Sequence, residues 1–333
     1  MHTMNEKDFK IFEQFVKMSQ PALKKVMSRW LRERYDRVVE TKDYIYAEGT
    51  IPIALAAHMD TVFAKPVENL FYDTRKNVMW SPEGLGADDR AGVFAIYQIV
   101  KSGLRPHIIL STDEEKGCIG AGELAKLPCP FNKLHYIIQL DRHGTCDCVF
   151  YDCDNPEFTK YVEGFGFVEA IGSFTDITEY CPAWGVAGVN LSVGYYSEHT
   201  SCEILYVDPL LATIKKVMAM LQQSEIPKFP YVEDEYTGYK WATIYNYAGG
   251  WSNNPSHKYT CSHCKKNNFL EAEVFPVVGK DDKTKYFCSD CLVGRVNWCV
   301  KCWEAYEIDP EIEKEDQNYV CPYCSNRKGA PYA

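Results

Sequence analysis

Between residues 5 and 36, apolar side chains recur every three or four positions: Phe9, Phe12, Phe15 and Val16, then Leu23, Val26, Met27, Trp30 and Leu31. That spacing predicts two amphipathic helices whose stripes face a core, with Pro21 opening the second. From about residue 37 to 142 the pattern changes. Short apolar runs (Ile53 to Ala57, His107 to Ser111, His135 to Leu140) alternate with helical stretches at Gly92 to Val100 and Glu123 to Leu127. Strand–helix alternation predicts a mostly parallel, mixed sheet sandwiched by helices. Val186 to Val193 is a further strand candidate. Residues 208–223 carry a last apolar stripe, Leu210, Leu211, Ile214, Val217, Met218 and Leu221.

Composition shifts after Gln223. Residues 224–256 hold prolines, glycines and an acidic, aromatic cluster that includes Tyr236, Trp241 and Trp251. This stretch reads as a connector or arm packed on a neighbour. The expected organisation is therefore a domain over 1–223, a connector over 224–256 and a small cysteine-rich module over 257–333.

The formal net charge of −10 argues against a general nucleic-acid-binding surface, whose affinity would come from neutralising phosphates. No apolar run is long enough to span a bilayer, and the first residues, MHTMNEKDFK, lack an apolar signal core. The expectation is a cytoplasmic protein that contacts neither membrane nor nucleic acid.

The chemistry stands at the ends of the expected strands. After Ile53–Ala57 come His58 and Asp60 in HMDT. After His107–Ser111 come Glu114 and Glu115 in TDEEKG, and after His135–Leu140 comes Asp141. Asp88 and Asp89, in GLGADDRAG, precede a helix. In parallel α/β sheets, ligands bind beyond the carboxyl ends of the strands, so these groups should converge. Taken singly, each motif suits an ordinary turn or solvated face; their common placement is what points to a site. Converging carboxylates repel unless cations sit among them. Two divalent metals against three ligand carboxylates leave about +1, which a bridging hydroxide brings near neutral.

HMDT, GADDRAG, TDEEKG, LD and GYYSEHTSCE occur in the order found in the zinc aminopeptidase, aminoacylase and carboxypeptidase superfamily. Residues 20–222 resemble its peptidase T-like branch, especially in SFTDITEYCPAWGVAGVNLSVGYYSEHTSCE. The resemblance implies that Asp88 bridges two metals. It places His58 and Asp141 on one metal and Glu115 and His199 on the other. Glu114 would be the general base, and Asp60 would fix the tautomer of His58. It also implies a strained or cis peptide after Asp88, with Asp89 as a structural companion. Residues 142–198 are too few for the lid domain that many relatives insert, so the expected architecture is a phosphorylase/hydrolase-like peptidase fold without a lid. Substrate contacts stay open. Tyr195 and Tyr196 are oxyanion donors or packing aromatics. Asp176 orients a substrate amine or supports His199. Arg142 holds a substrate carboxylate or forms a surface ion pair.

Fifteen cysteines raise the question of disulfides, but eight form four CxxC pairs: Cys261/Cys264, Cys288/Cys291, Cys299/Cys302 and Cys321/Cys324. CxxC presents two thiolates from one tight turn, which suits tetrahedral zinc. Eight thiolates make two closed, structural zinc sites. Sequential pairing gives zinc-ribbon-like units over 261–291 and 299–324; cross-brace pairing would interleave them. His257 and His263 are spare donors.

The functional expectation is a metal-dependent hydrolase of amide or peptide bonds, an aminopeptidase-type exopeptidase. Its cofactors would be two catalytic divalent metals (zinc, with cobalt or manganese as alternatives) and two structural zinc ions. A deacylase of small amino-acid conjugates would use the same site. A non-catalytic protein working through its zinc module, with a protein partner, is the reading from another class.

Overall fold

In this computed structural model, the described residues are 3–172, 174–233 and, beyond residue 233, 260–266, 274–279, 283–288, 291, 295–298, 305–308, 316 and 319–320. The chain divides into two compact units, Met1–Asp234 and Glu235–Ala333.

An eight-stranded sheet organises the first unit. Its order is β1 (Arg37–Glu40), β2 (Tyr44–Glu48), β6 (Pro106–Ser111), β3 (Ile51–His58), β7 (Tyr136–Arg142), β10 (Gly188–Ser192), β8 (Asp147–Val149) and β9 (Val168–Glu169). The middle four strands, β6, β3, β7 and β10, run parallel. The flanking strands β1, β2 and β8 add antiparallel pairings. The middle strands are apolar on both faces because helices cover both. Along β3, Ile53, Leu55 and Ala57 enter one core, while Ala54 and Ala56 enter the other. β6 and β7 divide likewise, with Ile109 and Ile137 on the second face.

The larger core lies under α1 (Glu6–Val16), α2 (Gln20–Arg32), α3 (Ala87–Lys101), α5 (Pro156–Glu163) and α7 (Val207–Leu221). Phe12 and Phe15 of α1 meet the ring of Phe94 on α3 edge-on. Asn5 caps α1 by accepting from the Asp8 amide, and Pro21 stands in the first turn of α2. The smaller core lies under α4 (Ile119–Ala125) and α6 (Ile177–Trp184). The sequence placed a helix at Glu123 to Leu127. It begins earlier, after Cys118 in the left-handed region, and ends at Ala125.

A second, four-stranded antiparallel sheet was not anticipated: β11 (Tyr195–Tyr196), β12 (Ile204–Tyr206), β5 (Val78–Trp80) and β4 (Phe71–Asp73), in that order. Strands of two or three residues carry too little alternation to register as a pattern. Residues 143–198 carry β8, α5, β9, α6, β10 and β11. Beyond residue 223 the chain stays with the first unit for some way. Phe229 joins the larger core, and Pro230 bridges to Val186.

The second unit contains a four-stranded sheet, β14 (Thr284–Cys288), β13 (Val274–Val278), β16 (Ala305–Glu307) and β15 (Val296–Trp298). Val277, Phe287, Val296 and Ala305 pack with Cys261, Cys288 and Cys291 in a small core.

Candidate metal centre

The parallel strands deliver their terminal residues to one place. His58 ends β3, Asp141 is the penultimate residue of β7, and Glu114 and Glu115 follow β6 on a short helical turn, Glu114–Lys116. Asp88 and Asp89 sit at the start of α3 with non-helical dihedrals and a cis peptide between them. His199 follows β11. Non-glycine residues flanking the cluster (Asp113, Cys118, Ser197 and His199 itself) adopt positive φ. That conformation costs about 1–3 kcal/mol per residue and persists where the surroundings over-determine it.

The Asp88 carboxylate divides the cluster. Its Oδ1 lies 3.2 Å from His58 Nε2 and its Oδ2 lies 3.0 Å from His199 Nε2. His58 Nε2 is also 3.5 Å from Asp141 Oδ1, and His199 Nε2 is 3.0 Å from Glu115 Oε2. Two groups of potential ligand atoms, His58/Asp88/Asp141 and Asp88/Glu115/His199, therefore share Asp88. Glu114 Oε2 approaches His58 Nε2 at 3.9 Å. Asp60 takes the other ring nitrogen of His58 at 3.2 Å and accepts both the Glu114 and Glu115 amides at 3.1 Å. One carboxylate thus ties the end of β3 to the turn after β6.

Electrostatics show what these side chains lack. Burial, with the Asp141, Asp176 and Asp88 carboxylates adding repulsion, pushes Glu114 up to about 9. Burial and Asp88 push Asp141 up to about 7. Burial opposes a charge on His58, but Asp141, Asp60 and Asp88 outweigh it and hold the imidazole well above its usual value. Hydrogen bonds to Asp88 and Glu115 raise His199 to about 11. The neighbouring carboxylates thus favour a positive charge on both imidazoles. Glu115 Oε1 is buried without a hydrogen-bond partner. Imidazole nitrogens and carboxylate oxygens are a donor set for zinc-like divalent ions, so the residues present fit a pair of metals.

The remaining candidates fall in different places. The Tyr195 hydroxyl donates to Asp141 Oδ1 at 3.1 Å, while the Tyr196 hydroxyl pairs with Thr145 at 2.7 Å. Arg142 donates to the Ile171 carbonyl at 3.1 Å. Asp176 is fully buried and accepts from Ser111 Oγ. A cavity of about 130 Å³ opens on the cluster, lined by Asp88, Glu114, Asp141 and His199 and also by Arg142 and Glu198.

Three supporting groups were not picked out in the sequence. Glu203 is 1% exposed and accepts the amides of Gly86 and Asp88, the latter at 2.9 Å. Gln139 and Thr175 both donate to Asp141 Oδ2, at 2.9 and 2.8 Å. Glu203 does stand in the GYYSEHTSCE stretch, at its end; Gln139 and Thr175 had no motif to mark them.

In the second unit, Cys261, Cys264, Cys288 and Cys291 converge with their sulfurs in metal-binding range of one another. The first two CxxC pairs thus face each other, as sequential pairing requires. Cys299, Cys302, Cys321 and Cys324 lie outside the described residues, as does His257; His263 is near Phe287 rather than in the cluster.

No family model matches the sequence, and no curated protein does. Solved structures do match its fold. About two thirds of the chain is similar in fold to solved aminopeptidases. The aminopeptidase PepT of Bacillus cereus superposes with a TM-score of 0.50 at 14% identity, over 64% of this chain and 97% of that chain. A tripeptidase of Staphylococcus aureus gives 0.50 at 15% identity, over 65% and 98%. At such identities the likeness establishes the fold: a mixed α/β sheet between helices, as in those peptidases. Among the described residues, no helix is long and apolar enough to cross a membrane.

Proposed function

We propose that the first unit is a metal-dependent amide hydrolase, an aminopeptidase-type exopeptidase acting on small peptides. His58 and Asp141 would hold one divalent ion, Glu115 and His199 a second, and Asp88 both. The observation that carries this reading is the split of the Asp88 carboxylate, one oxygen toward His58 and the other toward His199. Zinc suits the donors; cobalt and manganese are alternatives.

When bound, the metals supply Lewis acidity toward a scissile carbonyl and lower the pKa of water held between them. The chain's own residues do the rest. Glu114 stands beside the ligands without being needed as one. Its carboxylate accepts the proton of the attacking water and returns it to the leaving amine. Asp60 holds the His58 tautomer that leaves Nε2 free as a ligand. The Tyr195 hydroxyl is engaged by Asp141, so its role is to orient that ligand rather than to meet an oxyanion. Arg142 and Glu198, which line the cavity, would meet the charged ends of a short peptide. The likeness to an aminopeptidase and a tripeptidase is consistent with that substrate class. In the second unit, Cys261, Cys264, Cys288 and Cys291 would hold a structural zinc.

The test is hydrolysis of a panel of aminoacyl-anilides and tripeptides by the zinc-loaded full chain, with metal content measured alongside. Glu114→Gln should lose at least about a hundredfold in kcat and keep its metals. A His58→Ala/Asp88→Ala variant should lose about two metals per chain and all activity. A wild-type chain that holds both metals yet cleaves no amide, or a Glu114→Gln variant that cleaves as well as wild type, would overturn the reading.

A further inference from the structure

Glu114 has two neighbourhoods. Its Oε2 faces His58, whereas its Oε1 accepts from the thiol of Cys118 at 3.5 Å. Beyond that thiol lies Asp176, at the start of α6. Ligand atoms of Glu114, Cys118 and Asp176 lie within 4.8 Å of one another. The setting is dry: Cys118 is 1% exposed and Asp176 0%. Asp176 Oδ2 is occupied by Ser111 Oγ, but Oδ1 is buried with no hydrogen-bond partner. A carboxylate oxygen left unpaired in the interior is costly, and native structures rarely keep one without a donor or a cation.

The three donors differ from those of the main centre. Two carboxylates with one thiol make a set that magnesium or calcium would not select, because those ions prefer oxygen alone. Zinc, cobalt and cadmium accept sulfur and oxygen together. The thiol loses its proton to solvent when such an ion binds, and the ion then neutralises a cluster otherwise rich in negative charge.

We propose that Glu114, Cys118 and Asp176 form a third metal site, for a zinc-like ion, whose occupation inhibits the enzyme. Inhibition follows because the carboxylate that must accept the water proton becomes a ligand instead. The inhibitory consequence rests on the reading of Glu114 as the base; binding of the ion does not. Low metal fills the centre shared by Asp88, and excess metal fills the site behind it, so activity rises and then falls with zinc.

The experiment compares the full wild-type chain with Cys118→Ser and Asp176→Asn. Two variants guard against one that misfolds, since each is close to isosteric. Stepwise cobalt loading is followed by metal content and by the near-ultraviolet thiolate-to-cobalt band. The cluster of Cys261, Cys264, Cys288 and Cys291 contributes equally in all three chains, so their difference isolates Cys118. The expected result is about one fewer cobalt per chain and a weaker band for Cys118→Ser, and cobalt binding weakened at least about tenfold at this site for Asp176→Asn. With zinc and an aminoacyl-anilide, each variant, measured against its own zinc-replete rate, should need at least about tenfold more zinc for half-inhibition. Equal stoichiometry and equal bands in the three chains would overturn the site. A third ion that binds while excess zinc leaves hydrolysis untouched would overturn its inhibitory role. If no chain hydrolyses any amide, the proposed function fails, and the cobalt titration still decides whether the site exists.

Discussion

Glu203 accepts the backbone N–H of Asp88 at 2.9 Å and also takes that of Gly86, so one buried carboxylate fixes the turn that presents the Asp88 carboxylate. The two residues are far apart in the chain, and the contact joins the segment just before β12 to the start of α3. Removing the carboxylate leaves two buried N–H groups unsatisfied, and each costs about 1–3 kcal/mol. Glu203→Ala should therefore lower the stability of the first unit by a few kcal/mol and weaken metal binding at the Asp88 centre about 10- to 100-fold. Glu203→Gln, which keeps one carbonyl acceptor, should be milder in both. Urea denaturation and a competitive metal titration measure the two effects. Unchanged metal affinity in Glu203→Ala would show that the turn holds itself.

Gly92 sits where α3 crosses β7. A Cβ built there would lie 2.1 Å from the Leu140 carbonyl oxygen and 2.4 Å from Asp89 Oδ1, and the first of these atoms is backbone that cannot swing aside. Two effects oppose each other in Gly92→Ala. Helix propensity alone would favour alanine by up to about 1 kcal/mol, whereas overpacking costs about 1–3 kcal/mol. The contact should win, because Asp89 also accepts the amides of Gly92 at 2.8 Å and His58 at 3.2 Å, and a shift there disturbs His58, a proposed metal ligand. The expected outcome is a lower urea midpoint with an unchanged m-value, together with weaker metal binding. A higher midpoint would mean that the helix has room to move.

Much of this was legible in the chain because the signal was long or repeated. The four middle strands and the helices α1, α2, α3 and α7 carry unbroken apolar runs or stripes, and the chemistry follows directly on strand ends. His58, Glu114, Glu115 and Asp141 could be brought together for that reason, with Asp88 beside them, whereas His199 was implied only by the resemblance of GYYSEHTSCE to the peptidase superfamily. What escaped notice has no local signature. Gln139 is an interior polar residue of β7 whose value lies in reaching Asp141 and Thr175. β4, β5, β11 and β12 are held by pairing across distant segments, such as Ile204 against Trp80, rather than by propensity. Asp176 looked like a candidate substrate contact, yet it is sealed against Ser111 in the interior. Burial of a polar residue is decided by tertiary packing, which a single sequence does not display.

His107 tests the electrostatics away from the metal centre. Its ring is 3% exposed and stacks on Phe131, with centroids 4.3 Å apart. Nδ1 accepts the Gly49 amide at 3.0 Å, and Nε2 lies 2.6 Å from the Lys133 carbonyl, which only an N–H on that nitrogen can satisfy. The native ring is therefore neutral, because a proton on Nδ1 would face the Gly49 N–H. Burial lowers its pKa, and the pull of the Lys133 carbonyl and of Glu48 toward the charged form does not make up the difference. Between this lowered value and the ordinary one of about 6.5, the unfolded chain binds a proton that the native chain refuses. Stability from His107 is thus complete above pH of about 6.5 and lost as pH falls below it. Urea midpoints measured from pH 7.5 down to about 5 should fall less steeply in His107→Gln than in wild type, whatever the two proteins' stabilities at neutral pH. Parallel slopes would mean that the native ring takes up its proton as readily as the unfolded one, and that the hydrogen bond from Gly49 gives way when it does.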